Sequence, residues 1–161
     1  QLERWKKTHG IQINGNKVTG GTPRQRLVAG ALAAAANCSA GRRRNVYSQA
    51  GAYTVKYGIT GEPIGYRTDC SQFVTSIYFS AGLNDPNGYD WQGGYTGTLV
   101  SHGKQVNTPQ PGDLVLYGSG TAHHVEMFIG SGVTVGHGSA PVDKGTVDLF
   151  GDGDYRFFSY L

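Results

Sequence analysis

A chain of 161 residues is one domain's worth of sequence, long enough to bury its own core, and 14 Lys and Arg against 11 Asp and Glu leave a formal charge of only +3. That mild basic excess suits an anionic polymer without demanding nucleic acid. The densest basic run, Arg42-Arg43-Arg44, reads as a solvated loop, so no nucleic-acid partner is expected. No apolar run approaches the roughly 20 residues that span a bilayer, so no membrane partner is expected either.

Residues 1–22 read as an N-terminal arm or linker, with 23–161 as the functional domain. Within the arm, Ile11-Gln12-Ile13-Asn14-Gly15-Asn16-Lys17-Val18 alternates apolar residues around an Asn-Gly turn, which predicts a hairpin. Thr22-Pro23, followed by Leu27, Val28, Ala31, Leu32 and Ala35, predicts a helix with proline in its first turn, ending between Cys38 and Gly41. A second helix is predicted from Asn45 to Tyr57, stopped by Gly58, and Gly61 to Gly65 reads as a loop.

In the next segment Phe73, Val74, Ile77, Tyr78 and Ala81 fall on one helical face, with Thr68 or Asp69 as cap and Gly82 as stop. Cys70 therefore opens a buried helix. The free amides and positive dipole end there favour a thiolate and offer donors to an oxyanion. The other cysteine, Cys38, follows a run of alanines and reads as a packing residue; two cysteines do not make a disulfide scaffold.

Residues 83–112 read as an excursion rich in turn-formers, with a short helix from Thr96 to His102. Trp91 and Tyr95 in it fit either a groove wall or packing under a loop. Strands are predicted at Asp113–Tyr117, His124–Gly130, Val133–His137 and Tyr155–Tyr160, as an antiparallel meander. Together with the 26 glycines and 10 tyrosines, this predicts an α+β fold with N-terminal helices packed on a C-terminal antiparallel sheet.

A cysteine becomes a nucleophile only with a base in reach and a third group to hold that base. His124 opens a core strand and His137 stands on the next one, across the turn Gly130-Ser131-Gly132. The expectation is that His124 faces Cys70 with His137 behind it. Strand alternation lets only one of His123 and His124 face the thiol, and Glu126 is expected to face away. His9 and His102 read as surface residues. Cys70, His123, His124 and His137 lack the spacing of a zinc site, so no metal and no cofactor are expected.

Asp69-Cys70-Ser71-Gln72-Phe73-Val74, Pro111-Gly112-Asp113-Leu114-Val115, His124-Val125 with Ile129-Gly130, and the histidine of the following strand together resemble the NlpC-type cell-wall cysteine peptidases, related to the CHAP amidases, over residues 45–140. The resemblance implies a papain-like fold and cleavage of amide bonds in the stem peptides of peptidoglycan. It puts the nucleophile on Cys70, the base on His124 and the third polar residue on His137. An upstream tyrosine would shape the oxyanion site: Tyr57 is the nearest match, with Tyr53 and Tyr66 as competitors. Asp69, Ser71, Trp91 and Tyr95 complete the expected substrate contacts.

The chain departs from the family where Gln72 replaces a usual glycine and Glu126 a usual small residue. More narrowly, Asp85-Pro86-Asn87-Gly88, Gly94 to Leu99, His123-His124-Val125 and Gly136-His137-Gly138 resemble the catalytic domains of endolysins from phages of actinobacteria. A monomeric peptidoglycan endopeptidase or amidase is expected, reaching the wall by secretion, phage release or a virion. Two other readings fit the same residues: an inactive wall-binding or phage-tail module, and an acyl transferase using the same cysteine.

Overall fold

The computed structural model describes residues 1–44, 46–66, 68–138 and 141–161. Helix α1 (Leu2–His9) stops at Gly10, which takes the left-handed conformation, and a hairpin of β1 (Gln12–Asn14) and β2 (Lys17–Thr19) follows. Both pack on α2 (Pro23–Ser39). Trp5 Nε1 donates to the Gln25 carbonyl at 3.0 Å, and Ile11 and Val18 are buried in the same core as the helices.

Helix α2 starts where Thr22 accepts from the Gln25 amide while the Gln25 side chain returns to the Thr22 amide, with Pro23 in the first turn. Its run of small residues lets a second helix approach closely. A Cβ on Gly30 would stand 3.2 Å from Ile77 of α3 (Cys70–Ser80). After α3 come α4 (Thr96–His102) and strands β3 (Lys104–Val106), β4 (Leu114–Tyr117), β5 (His124–Gly130), β6 (Val133–Gly136), β7 (Asp143–Thr146) and β8 (Tyr155–Ser159).

These last six strands form one antiparallel sheet in the order β3-β8-β4-β5-β6-β7. The expected meander is present from β4 to β7, but the chain then returns, so that β8 pairs with the free side of β4. One face, carrying Leu114, Leu116, Val125, Met127, Val135 and Phe158, is buried with α2 and α3. Val115, Tyr117 and Phe128 form a smaller cluster on the other. The fold is the expected α+β, papain-like arrangement, with the helix that opens at Cys70 packed on the sheet.

Three expectations need correction. No helix forms over the described part of 45–57, Asn45 lying outside it. The chain instead makes isolated parallel bridges, Tyr47 with Thr68 and Ala52 with Tyr66. Gly51, at φ 106°, and the Ser48 hydroxyl, which bonds the backbone at Ala50, both break a helix there. Second, Arg43 is buried rather than solvated. Its Nε donates to the Gly58 carbonyl at 2.9 Å, its carbon lies 5.5 Å from the Phe73 ring centre, and Glu62 stands 4.0 Å away. Third, β3 and β7 are edge strands that the sequence does not announce, being short and polar. Both cysteines are free thiols, and no described helix is long and apolar enough to cross a membrane.

Candidate active site

Cys70 is the first residue of α3, buried at the point where the helix's free amides emerge. Asp69 caps the helix: its Oδ1 accepts from the Gln72 amide at 2.8 Å and from the Ser71 hydroxyl at 2.9 Å. Asp69 and Ser71 are therefore turned to each other, building the helix start. Gln72 does not project as an obstruction, because its side-chain amide donates to the Thr54 carbonyl and ties the bridge-forming segment to α3.

That segment delivers a tyrosine. Tyr47 bridges to Thr68, with the Ser48 amide donating to the Thr68 carbonyl at 2.8 Å. This sets the Tyr47 hydroxyl in hydrogen-bond contact with both the thiol and the backbone N–H of Cys70. Burial, then the neighbouring Cys70 and Asp69, push its phenol up to about 12, so it remains a donor at neutral pH. Tyr57, expected in this role, packs edge-on against Tyr66 instead, ring centres 5.9 Å apart. A helical reading of 45–57 hid Tyr47, since its closeness to Cys70 depends on the pairing with Thr68.

His124, at the start of β5, hydrogen-bonds Cys70. Its Nε2 donates at 2.6 Å to Oε2 of Glu126, and Oε1 of that carboxylate accepts from the Thr134 hydroxyl at 3.1 Å. Burial alone would lower the imidazole's pKa; the hydrogen bonds to Cys70 and Glu126, with the negative charge both can carry, outweigh it and raise the value to about 9. Glu126 thus faces His124. Residues two apart on a strand share a face, and the expectation that it faces away misapplied that rule. His123 turns instead to Phe150, ring centres 5.2 Å apart.

His137 does not lie behind His124. Its Nδ1 donates to the Gly138 carbonyl at 2.7 Å, and its ring meets Tyr47 edge-on at 5.4 Å and Phe73 at 6.5 Å. A β-bulge explains the placement. Hairpin pairing begins with Gly130 opposite Val133 but has shifted by one residue at Phe128–Thr134 and Met127–Val135. Continued along the strands, this register sets Gly136 across from Glu126 and His137 across from Val125, on the α3 face. A one-residue slip exchanges faces, so the unbulged register would have brought His137 to His124.

A cleft of about 430 Å³ opens beside the pair, lined among others by Tyr47, His124, Glu126, Lys144, Leu149 and Phe150. Trp91 and Tyr95 are not among its lining residues: Trp91 packs edge-on against Phe79 at 5.2 Å, and Tyr95 is exposed at the start of α4. A larger cavity of about 620 Å³ lies between the hairpin and residues 79–82, at the far end of the 11-residue α3 and so roughly 16 Å from Cys70. It holds none of the chemistry. A thiol against an imidazole that is itself held by a carboxylate, with a hydroxyl and an amide beside the sulfur, is equipped for nucleophilic attack on a carbonyl.

A cysteine-centred α+β domain of this layout defines a class, and the chain's place in it follows from comparison. The chain belongs to the NlpC/P60 family, whose profile matches residues 46–148, a span that includes Tyr47, Cys70, His124, Glu126 and His137. A search of curated proteins gave no match. Among solved structures it is similar to RipD of Mycobacterium tuberculosis, described as a non-catalytic NlpC/p60 domain protein adapted to peptidoglycan binding, with 19% identity, TM-score 0.59, and coverage of 87% of this chain and 98% of that one. The peptidoglycan hydrolase RipB of the same organism matches at 19% identity and TM-score 0.54, over 99% and 79% of the two chains. The P60 domain of an antigen from M. avium subspecies paratuberculosis matches at 20% and 0.55, over 86% and 96%. These likenesses establish the fold.

Proposed function

We propose that this protein is a peptidoglycan hydrolase that cuts an amide bond in the stem peptides through Cys70. The observation that carries the reading is the meeting of Cys70, His124 and Tyr47 at the start of α3, each brought there by a different part of the chain. The Cys70 thiolate, paired with the His124 imidazolium, attacks the carbonyl carbon. The oxyanion takes the Cys70 N–H and the Tyr47 hydroxyl. Collapse breaks the C–N bond, and the leaving amine takes its proton from His124. Water then attacks the thioester, passing its proton to His124, and the thiolate returns.

The finer reading, a phage lysin endopeptidase acting as a monomer without a cofactor, is supported by the endolysin-like motifs around His123-His124-Val125 and Gly136-His137-Gly138. RipD, a non-catalytic relative in fold, makes wall binding without turnover the specific rival. Digestion of purified actinobacterial peptidoglycan by the wild type and by Cys70→Ala, with fragments read by mass spectrometry, tests both. Release by the wild type alone supports the hydrolase and names its bond; binding without release by either chain supports the rival. A ligated product on adding an amine would mark a transferase.

A further inference from the structure

We infer that Glu126, and not His137, is the positioning residue that holds the His124 ring against Cys70, with Gly136 left bare to admit its carboxylate. The assignment rests on the cysteine-hydrolase reading above and deepens it. Three independent features meet at this carboxylate. Its Oε2 takes the ring N–H at 2.6 Å, which engages Nε2 and leaves Nδ1 as the imidazole nitrogen for the thiol. Its Oε1 takes the Thr134 hydroxyl at 3.1 Å, so a buried carboxylate 5% exposed has both oxygens occupied and one orientation. The facing strand has been cleared for it: a Cβ on Gly136 would fall 1.7 Å from Oε2 and 2.1 Å from Cδ.

The cleared position and the filling carboxylate are a cross-strand exchange of bulk. The bulge in β5 makes that exchange necessary, because it turns His137 to the α3 face. There His137 is bonded to Gly138 and edge-on to Tyr47, the tyrosine in contact with Cys70. The two roles that a single histidine was expected to combine are divided. Glu126 holds the base, and His137 braces the hydroxyl at the oxyanion site.

A carboxylate differs from a neutral imidazole in that it stabilises the charged form of the ring it holds. The other titratable groups around His124 are Cys70 on α3, Tyr47 on the bridging segment and Tyr117 on β4, with Asp143 and Lys144 of β7 lining the same cleft. Cys70 is the one competing source of the effect, and it can be removed.

The test is an NMR titration of the His124 ring in the full chain carrying Cys70→Ala, with and without Glu126→Gln, and with His137→Ala as the comparison. With the thiol gone, His124 should still titrate above the ordinary histidine value of about 6.5, and Glu126→Gln should bring it to that value or below, since burial then acts unopposed. His137→Ala should leave the titration where it was. A His124 that titrates at or below the ordinary value in Cys70→Ala alone overturns the assignment, and this arm needs neither turnover nor the Glu126 variant. In the Cys70-containing chain, Glu126→Gln should cost roughly 100-fold in kcat and pull the alkaline limb of the rate profile to lower pH. Retained activity in Cys70→Ala would instead remove the hydrolase reading, leaving the titration to judge the Glu126 contact separately.

Discussion

Replacing Gly136 by alanine is the smallest perturbation that separates the carboxylate from the base. Gly136 does not use the left-handed region, so the backbone has no objection to a side chain. The added Cβ, 1.7 Å from Glu126 Oε2, cannot coexist with the carboxylate in its present place. The carboxylate must leave, breaking its 2.6 Å contact with His124 and its 3.1 Å contact with Thr134. A hydrogen bond to a charged group contributes about 1.5–3 kcal/mol, and Gly→Ala at an unstrained position returns about 0.4–1. The net cost is then about 1–2 kcal/mol, a fall in Tm of roughly 2–8 °C for a domain of this size. Calorimetry and urea unfolding of four chains, namely wild type, Gly136→Ala, Glu126→Ala and the double variant, read it as a cycle. In the Glu126→Ala background the same alanine should cost nothing or stabilise slightly. Equal cost in both backgrounds would refute the reasoning, since the clash would then not be with the carboxylate.

Other outcomes follow from the same geometry. Tyr47→Phe removes the hydroxyl at Cys70 and keeps the ring against His137; kcat on a synthetic stem peptide should fall about 10- to 100-fold with KM nearly unchanged. Because His124 titrates near 9 when folded and near 6.5 when unfolded, its contribution to stability is fully present below about pH 6.5 and is lost as pH rises through about 9. Urea midpoints measured from pH 6 to 10 should therefore decline over that window, and less so in Glu126→Gln. Gln72→Gly frees the Thr54 carbonyl and should raise amide exchange across residues 46–57 while leaving α3 protected.

What the sequence discloses depends on how local the cause is. The helix at Cys70 is legible because cap, apolar period and stop all lie within fourteen residues, Asp69 through Gly82. The strands at 114–117 and 124–130 are legible because both are apolar runs buried at the centre of the sheet. The edge strands are not, since Lys104-Gln105-Val106 and Asp143-Lys144-Gly145-Thr146 have no apolar face to display. Tyr47 is the harder case. Its placement beside Cys70 comes from a parallel bridge to Thr68, a pairing between distant residues that no local pattern encodes.

Glu126 and His137 separate two kinds of misreading. The shared face of His124 and Glu126 is strand geometry and was available from the sequence, as was the oddity of a glutamate where the family usually has a small residue. The face of His137 was not available, because it turns on one extra residue at a bulge between Phe128 and Gly130. Both nevertheless point the same way. A large acidic residue two positions after the base, opposite a glycine rather than a polar residue, is a pattern in which bulk and charge have moved across one strand pair. The geometry around the base survives that exchange because the carboxylate and the cleared position face each other across β5 and β6, so the position of the orienting group along the chain matters less than the face from which it reaches the ring.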